Sequence, residues 1–576
     1  MAHSMTRRDR LTAFFDRFHA RRAGRARVTT SFTMPPEPRA VGLAARGKQL
    51  LAGEFLIAGQ RVNDPVLSIW DIAPQDPAVM AELQGCGWLD DLAALGTEAA
   101  RARAQGWVFD WITRYGTGDG PGWQAGSTAR RLSLWIGHSD FLLRGQSKDA
   151  TAVFMQSLAQ QGRFLARRWH RDVSDIATLA GVIHAGLLLQ GIAAPVDAAV
   201  KALTAASQQQ VNADGTIPSR NPTALLEILT HLVASAQLLT DTDRPVPTEL
   251  SQIITRIVPV LRGLQHADGG LARFHGGGRG AEGQVDAALA GSGVRTPATQ
   301  PTVMGYARLI AGRSSLIVDA AAPPVGPASR DAHASTLGLE LTSGRRPLIV
   351  NCGSGAQFGD DWRRASRATP SHSTLGLDGL SSSHLAKSAD EWLSDVPGVV
   401  RAEITTDQAG PGLELSHNGY QRSHGLTHAR MLHLSGDGRS LTGEDLLTTL
   451  GPEDEARFDR VFKQTLGVGI GFAIRFHLHP DVTSTATRDN TAVTLWLKSG
   501  EIWIFQHDGA AQLSVIPSVY LEKGQLKPRS TQQVVLSGNA LAYATRVRWS
   551  LAKAENTPLA VRDLAQAFPL DEADQI

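Results

Sequence analysis

Arg313-Ser-Ser-Leu-Ile-Val-Asp319 is where the chain changes its hydrophobic period. Upstream, from about Trp70 to Ala311, apolar residues recur at helical spacing; from Arg313 on, short apolar runs alternate with turn pairs. The upstream part predicts helices over Asp90–Trp111, Ala129–Arg144, Asp149–Trp169, Ser174–Gln190, Pro195–Gln210, Pro222–Leu239 and Glu249–His266. Short Gly, Pro and Asp punctuation between them predicts antiparallel pairs packed as a bundle, solenoid or toroid. No convincing fixed-period repeat is found. The downstream part predicts strands at Ser315–Asp319, Ser335–Leu341, Arg346–Cys352, Leu426–Leu434, Ala473–His479, Ala492–Lys498, Glu501–Gln506 and Leu541–Trp549. Strands at this density without intervening helices imply a large antiparallel sandwich. The fold class is α+β multidomain, with a basic N-terminal helix and wrapping arm over 1–69, a helical domain over 70–312 and the sandwich over 313–576. A cleft between the two large domains is the expected ligand site.

Charge narrows the partners. The net charge is +2, yet residues 1–50 hold eleven Lys and Arg against three Asp and Glu, so the rest carries −6. Such a body gives no reason to expect nucleic-acid binding. Cys86 and Cys352 lie far apart and form no metal motif, which predicts buried free thiols. No run reads as a membrane-spanning helix. Asp16 and Arg17 interrupt the apolar region that an export signal would need after its arginines, so a cytoplasmic location is expected. Leu11, Phe14, Phe15 and Phe18 share one helical face, read as docked on the protein body rather than on a membrane surface.

A second stretch, Trp362-Arg-Arg-Ala-Ser-Arg-Ala-Thr-Pro-Ser-His-Ser-Thr-Leu-Gly-Leu-Asp-Gly379, places Arg363, Arg364 and Arg367 before His372. Arginine clamps carboxylates with a fixed charge, and histidine exchanges a proton near neutral pH. The alternative is a solvated basic loop leading into a strand.

Several ordered markers accompany it: Gly122-Trp-Gln-Ala-Gly-Ser-Thr-Ala-Arg-Arg-Leu132, Asp214-Gly-Thr-Ile-Pro-Ser-Arg-Asn-Pro222, His333-Ala-Ser-Thr-Leu337, Leu348-Ile-Val-Asn-Cys-Gly353, His417-Asn-Gly-Tyr420, Gly425-Leu-Thr-His-Ala-Arg430, Gly443-Glu-Asp445 and Arg475-Phe-His-Leu-His-Pro480. As a set they resemble the heparinase II/III family of polysaccharide lyases, over about Gly122 to Val547. The resemblance implies an (α/α) toroid followed by an antiparallel β-sandwich. It also implies β-elimination on uronic-acid glycans, in which a carboxylate is neutralised, a base removes the neighbouring proton and an acid protonates the departing oxygen. The implied partner is an acidic polysaccharide or oligosaccharide, and a homodimer is compatible with it.

Transfer of the family's residues is partial. His372 matches its sandwich histidine, whereas Val173 and Ser174 stand where an Asn-His pair is usual. No tyrosine occurs between Tyr115 and Tyr306, so the toroid tyrosine is missing and Tyr420 becomes the substitute phenol. Some relatives hold a structural zinc through a histidine two positions after the catalytic one; Thr374 stands there, so neither zinc nor another cofactor is expected. Arg220 and Asn221 are candidates for the uronate carboxylate, with Asn221 before Pro222 also reading as a helix N-cap. Arg273 and His275 on a glycine-rich loop, Arg130, Arg367 and His417 are further cleft candidates, and Trp123 is the residue expected to stack on a sugar. Two other readings stay open: a catalytically silent acidic-glycan-binding protein of envelope polysaccharide handling, and a glycoside hydrolase on a toroid scaffold. The second would need paired carboxylates from among Asp214, Glu227, Asp378 and Asp445.

Overall fold

The computed structural model describes residues 7–554 apart from 39–40, 172–173, 299, 387–390 and 523. Its first part is helical: α1 (Arg7–Gly24), α2 (Ala44–Ala52), α3 (Pro77–Gly85), α4 (Trp88–Ala93), α5 (Glu98–Tyr115), α6 (Ala125–Gly137), α7 (Ser139–Leu143), α8 (Lys148–Arg168), α9 (Ile176–Leu188), α10 (Val196–Gln210), α11 (Pro222–Asp241), α12 (Thr248–Leu264) and α13 (Gln284–Gly291). Asp76, Thr97, Ser147, Asp175 and Asn221 start α3, α5, α8, α9 and α11 by accepting the free backbone N–H groups of the first turn. The helix expected over Asp90–Trp111 is two helices, because Gly96 turns left-handed at φ 64° and Thr97 caps a new one. His138 likewise divides α6 from α7.

Helices α6, α9 and α11 pack side by side, with α8, α10 and α12 behind them. This double row is the (α/α) toroid. Gly181 lets α9 close on α6, since a Cβ there would stand 2.7 Å from that of Ala129. The arm reaches this ring: Thr33 N–H donates to Leu188 O at 3.0 Å and Gln190 N–H to Ser31 O at 2.9 Å. Helix α1 docks on α8 through buried Ala20 and Ala23, and Arg168 donates to Asp16 at 2.6 Å. The Leu11, Phe14, Phe15 and Phe18 face expected to dock is the exposed one instead. Helix α11, for its part, is long and apolar enough to cross a membrane by length and composition, which the sequence reading missed; half of its most apolar window is buried in the toroid.

The second part is a sandwich of an eight-stranded and a nine-stranded sheet, antiparallel throughout. The strand Leu426–Leu434 lies in the middle of the first sheet with the predicted boundaries, and Ile470–Leu478 is central to the second. Pro411–Tyr420, Ser440–Thr448, Gln512–Tyr520 and Arg529–Ala540 were not anticipated. Gly412, Gly443, Pro517 and Gly538 break their alternation, and pairing with neighbouring strands overrides that weak local preference. The nine-stranded sheet begins at Thr302–Val303 and Tyr306–Ala311, ahead of residue 313. Phe476, Phe505 and Trp549 meet between the sheets, ring centroids 4.7–6.0 Å apart. Cys86 and Cys352 are buried free thiols, which burial pushes up to about 12 and about 11.

One buried ion pair ties toroid to sandwich. Arg220, just before α11, donates to Asp319 of strand Ser314–Asp319 at 2.5 Å. It also donates to the carbonyls of Met304, Gly305, Ala321 and Ala322 at 2.8–3.2 Å. Tyr306 lies under the guanidinium at 4.7 Å and donates its hydroxyl to Arg220 O at 2.6 Å. Burial opposes ionisation of Asp319, but Arg220 and His275 outweigh it and hold the carboxyl well below the usual range. Removing one member strands the other charge in the interior. Arg220→Ala is therefore expected to lower unfolding free energy by about 3–5 kcal/mol, measured by urea denaturation; a loss under about 1 kcal/mol would reject the latch role.

Candidate functional site

A cavity of about 560 Å³ opens where the toroid meets the sandwich, within the range of about 300–1,000 Å³ typical of ligand pockets. Its wall is built from helical stripes. Arg130, Ser133 and Gly137 come from α6, Ala177, His184 and Leu188 from α9, and Thr223, Glu227, His231 and Ala234 from α11. Spacings of three, four and seven residues put each set on one helix face. The arm adds Glu37 and Pro38, the glycine-rich loop adds Gly276, Gly278 and Gly280, and Ser354, Gln357 and Leu521 close the sandwich side. Around the rim Arg46 pairs with Glu82, and with Asp91 at 3.5 Å; His138 pairs with Asp90 at 2.7 Å.

Of the residues expected to bind or act on a glycan, Arg130 reaches this cavity and the others are engaged within the fold. Trp123 is 3% exposed, packed on Trp111 and Phe164, with its indole N–H donated to Tyr115 O at 2.8 Å. Arg220 is the latch, and Asn221 caps α11 by accepting from Thr223 N–H at 2.9 Å and Ala224 N–H at 3.2 Å. Arg273 donates to the Tyr520 hydroxyl, and Arg367 to the carbonyls of Ala332 and Ser329 at 2.8 Å each. His275, at φ 48°, is sealed between Asp319 at 3.4 Å and the loop at His333, whose N–H donates to its Nδ1 at 3.1 Å. His417 accepts from Gly419 N–H and faces His428, which in turn meets Asp445 at 2.7 Å. Val173 lies outside the described residues.

His372, expected to point into the cleft, has no exposed surface and does not line the cavity. It packs against His333 with centroids 5.1 Å apart and the rings tilted by 51°, and neither ring nitrogen of His372 finds a partner among the described residues. Burial, with His477 nearby, pulls it down to about 3, so the ring is neutral at physiological pH. Tyr420 is equally sealed, its hydroxyl donated to Leu375 O at 3.1 Å, and burial pushes its ionisation up. Thr374 donates to Thr336 O at 3.3 Å. Among the described residues no three His, Cys, Asp or Glu side chains converge as metal ligands. Asp445 sits in a buried pair with Arg430 at 2.7 Å, and of the four carboxylates considered for hydrolysis only Glu227 faces the cavity.

Glu227 is one of the four acids named from the sequence, whereas His184 and His231 are cavity residues that no sequence motif marks. One local signal was available. In the apolar run of α11 a carboxylate and an imidazole stand one turn apart on one face.

A family model described as heparinase II/III-like, C-terminal, matches residues 294–550. Over 541 residues the chain is 32% identical to FtsZ-localized protein C of Caulobacter vibrioides (strain NA1000 / CB15N), with 90% of each chain covered. Among solved structures it is similar to heparinase III, with TM-score 0.61 and 12% identity over 95% of this chain and 91% of that one. Heparan sulfate lyase HepC from Pedobacter heparinus gives TM-score 0.53 and 14% identity, over 95% and 89%. Likeness at such identity concerns the fold alone.

Neutral, buried histidines make the sandwich acid-sensitive. Burial lowers the pKa of His333, His372, His417 and His477, that of His477 to about 4. Folded values below the unfolded one mean that stability is full above about pH 6.5 and is lost as pH falls toward the folded values. Each ring contributes a slope of up to about 1.4 kcal/mol per pH unit. Urea midpoints from about pH 7.5 down to about pH 5 should fall steeply, and His372→Gln should flatten that fall by about one ring's share. A fall of unchanged steepness in the variant would contradict the buried-neutral state.

Proposed function

The chain belongs to the heparinase II/III-like family, and we propose that it is a polysaccharide lyase-like protein that takes a uronic-acid-containing glycan into the cavity between toroid and sandwich. The observation that carries the reading is the wall of inward-facing stripes from α6, α9 and α11, with Arg130 turned into the space. A guanidinium there can pair with a uronate carboxylate through two parallel hydrogen bonds. That neutralisation makes the proton on the adjacent carbon acidic, the first requirement of β-elimination. The fold shared with heparinase III and with HepC supports the same class of ligand.

A second reading, a silent glycan-binding protein, is favoured by one specific observation. His372 and Tyr420 are sealed in the sandwich, and among the described residues no tyrosine lines the cavity. Both readings put a glycan in the same place and differ in whether it is cut. By its similarity to FtsZ-localized protein C, we further place the chain with FtsZ, on the cytoplasmic side; a fluorescent fusion that stays diffuse in cells with assembled FtsZ would reject this.

Incubation with hyaluronate, alginate, chondroitin and heparin separates the activities. Elimination generates unsaturated ends that absorb ultraviolet light, hydrolysis generates reducing ends without that absorbance, and a binder generates neither while still raising the melting temperature. Arg130→Gln is expected to weaken glycan binding by about 1.5–3 kcal/mol, the worth of a hydrogen bond to a charged group; unchanged affinity in that variant would remove the cavity from the reading.

A further inference from the structure

Helix α11 is apolar along most of its length, which makes Glu227 and His231 conspicuous. They stand four residues apart on the stripe that faces the cavity. Arg130 enters from α6, and neither it nor Glu227 makes a hydrogen bond or ion pair among the described residues. Of the other charges around the space, Arg46 is engaged with Glu82 and Asp91, and Asp90 with His138, while Glu37 makes no ion pair among the described residues. His231 feels both free charges, Glu227 favouring its protonated form and Arg130 opposing it. Arg130 and Glu227 are exposed and His231 is half-buried, so a ligand entering the cavity can reach all three side chains.

We propose that Arg130, Glu227 and His231 are the reacting centre of a β-eliminating site, with His231 as the catalytic base and acid. The assignment rests on the glycan reading above. Arg130 takes the carboxylate of one uronate. The His231 imidazole accepts the proton from the carbon next to that carboxylate, and the released electron pair forms a carbon–carbon double bond as the glycosidic C–O bond breaks. The departing oxygen then takes the same proton back from the imidazolium, so the ring returns to its starting state and no other reactant is needed. Glu227 is a positioning residue, orienting the ring and steadying its charged form.

The groups that face His231 set its proton affinity. They are Glu227 on its own helix, Arg130 on α6 and Asp175 at the start of α9, while His184 of α9 lines the same space. Burial lowers the His231 pKa, with the two carboxylates opposing and Arg130 reinforcing the shift. The ring is therefore neutral and ready to accept a proton at physiological pH.

The lining also selects a substrate class. Glu37, Glu82, Asp90, Asp91 and Glu227 face Arg46 and Arg130, and Arg46 is already paired. One guanidinium remains for anions, so the site takes a sparsely charged, unsulfated uronan and repels a densely sulfated one.

Hyaluronate and heparin serve as probes, with ultraviolet product formation and binding measured on the full chain. Wild type is expected to cleave hyaluronate and to bind heparin at least about tenfold more weakly. His231→Gln should lose about 10²–10⁴-fold in kcat with KM little changed, and Glu227→Gln should move the acid limb of the kcat/KM profile to lower pH. In the folded protein, nuclear magnetic resonance titration of His231 should show its midpoint falling in Glu227→Gln and rising in Arg130→Gln. Turnover in His231→Gln within about threefold of wild type, a titration midpoint unmoved by both variants, or cleavage of heparin alone would overturn the assignment. Binding without any unsaturated product overturns the catalytic centre and leaves the glycan reading standing; neither binding nor product overturns both.

Discussion

Arg220 and Asp319 meet at 2.5 Å in the interior, and much of the architecture is arranged so that this contact can exist. A guanidinium and a carboxylate withdrawn from water are tolerated only when their remaining hydrogen-bonding capacity is filled. Four backbone carbonyls and the Tyr306 ring do this for Arg220, and the Ser335 hydroxyl does it for Asp319, with His275 in contact at 3.4 Å. These groups come from the start of α11, the glycine-rich loop and the first strands of the nine-stranded sheet. The pair therefore fixes the angle at which the helical ring meets the sandwich, and with it the shape of the space between them.

The same arrangement explains why so many basic residues contribute nothing to that space. Arg220, Arg273 and Arg367 all point into the protein, where carbonyls, Tyr520 and Asp319 occupy them. The sandwich interior is similarly committed: Asp445 accepts from Arg430 and from the Trp549 indole at 2.9 Å and pairs with His428. Polar groups buried to this extent stiffen a structure when satisfied. What is left open to a ligand is a space with one unengaged arginine, which is a different electrostatic environment from the basic groove that the abundance of arginine near His372 would suggest.

Local chemistry was legible along much of the chain. The Asn221-Pro222 start of α11, the limits of Leu426–Leu434 and the switch from helical to strand period are all short-range consequences of dihedral preference and alternation. Strands interrupted by glycine, such as Ser440–Thr448, were not legible. There the lost preference is made up by pairing with Leu426–Leu434 on one side and Ala544–Lys553 on the other, partners far away in sequence.

Sequence by itself determined the order of the elements, the two-layer class of the second part and the residue types available for proton transfer, because each depends on neighbours a few positions away. Tertiary structure alone decided which of those residues meets a ligand. Whether an arginine is a latch or a clamp depends on a carboxylate 99 residues distant, as for Arg220 and Asp319. Whether a histidine is sealed or exposed depends on which strands close over it, as for His372 beneath the two sheets and His231 on the wall of an open space. Burial and pairing are properties of the packed chain, and desolvation, which sets the proton affinity of every one of these groups, exists only once the chain has packed.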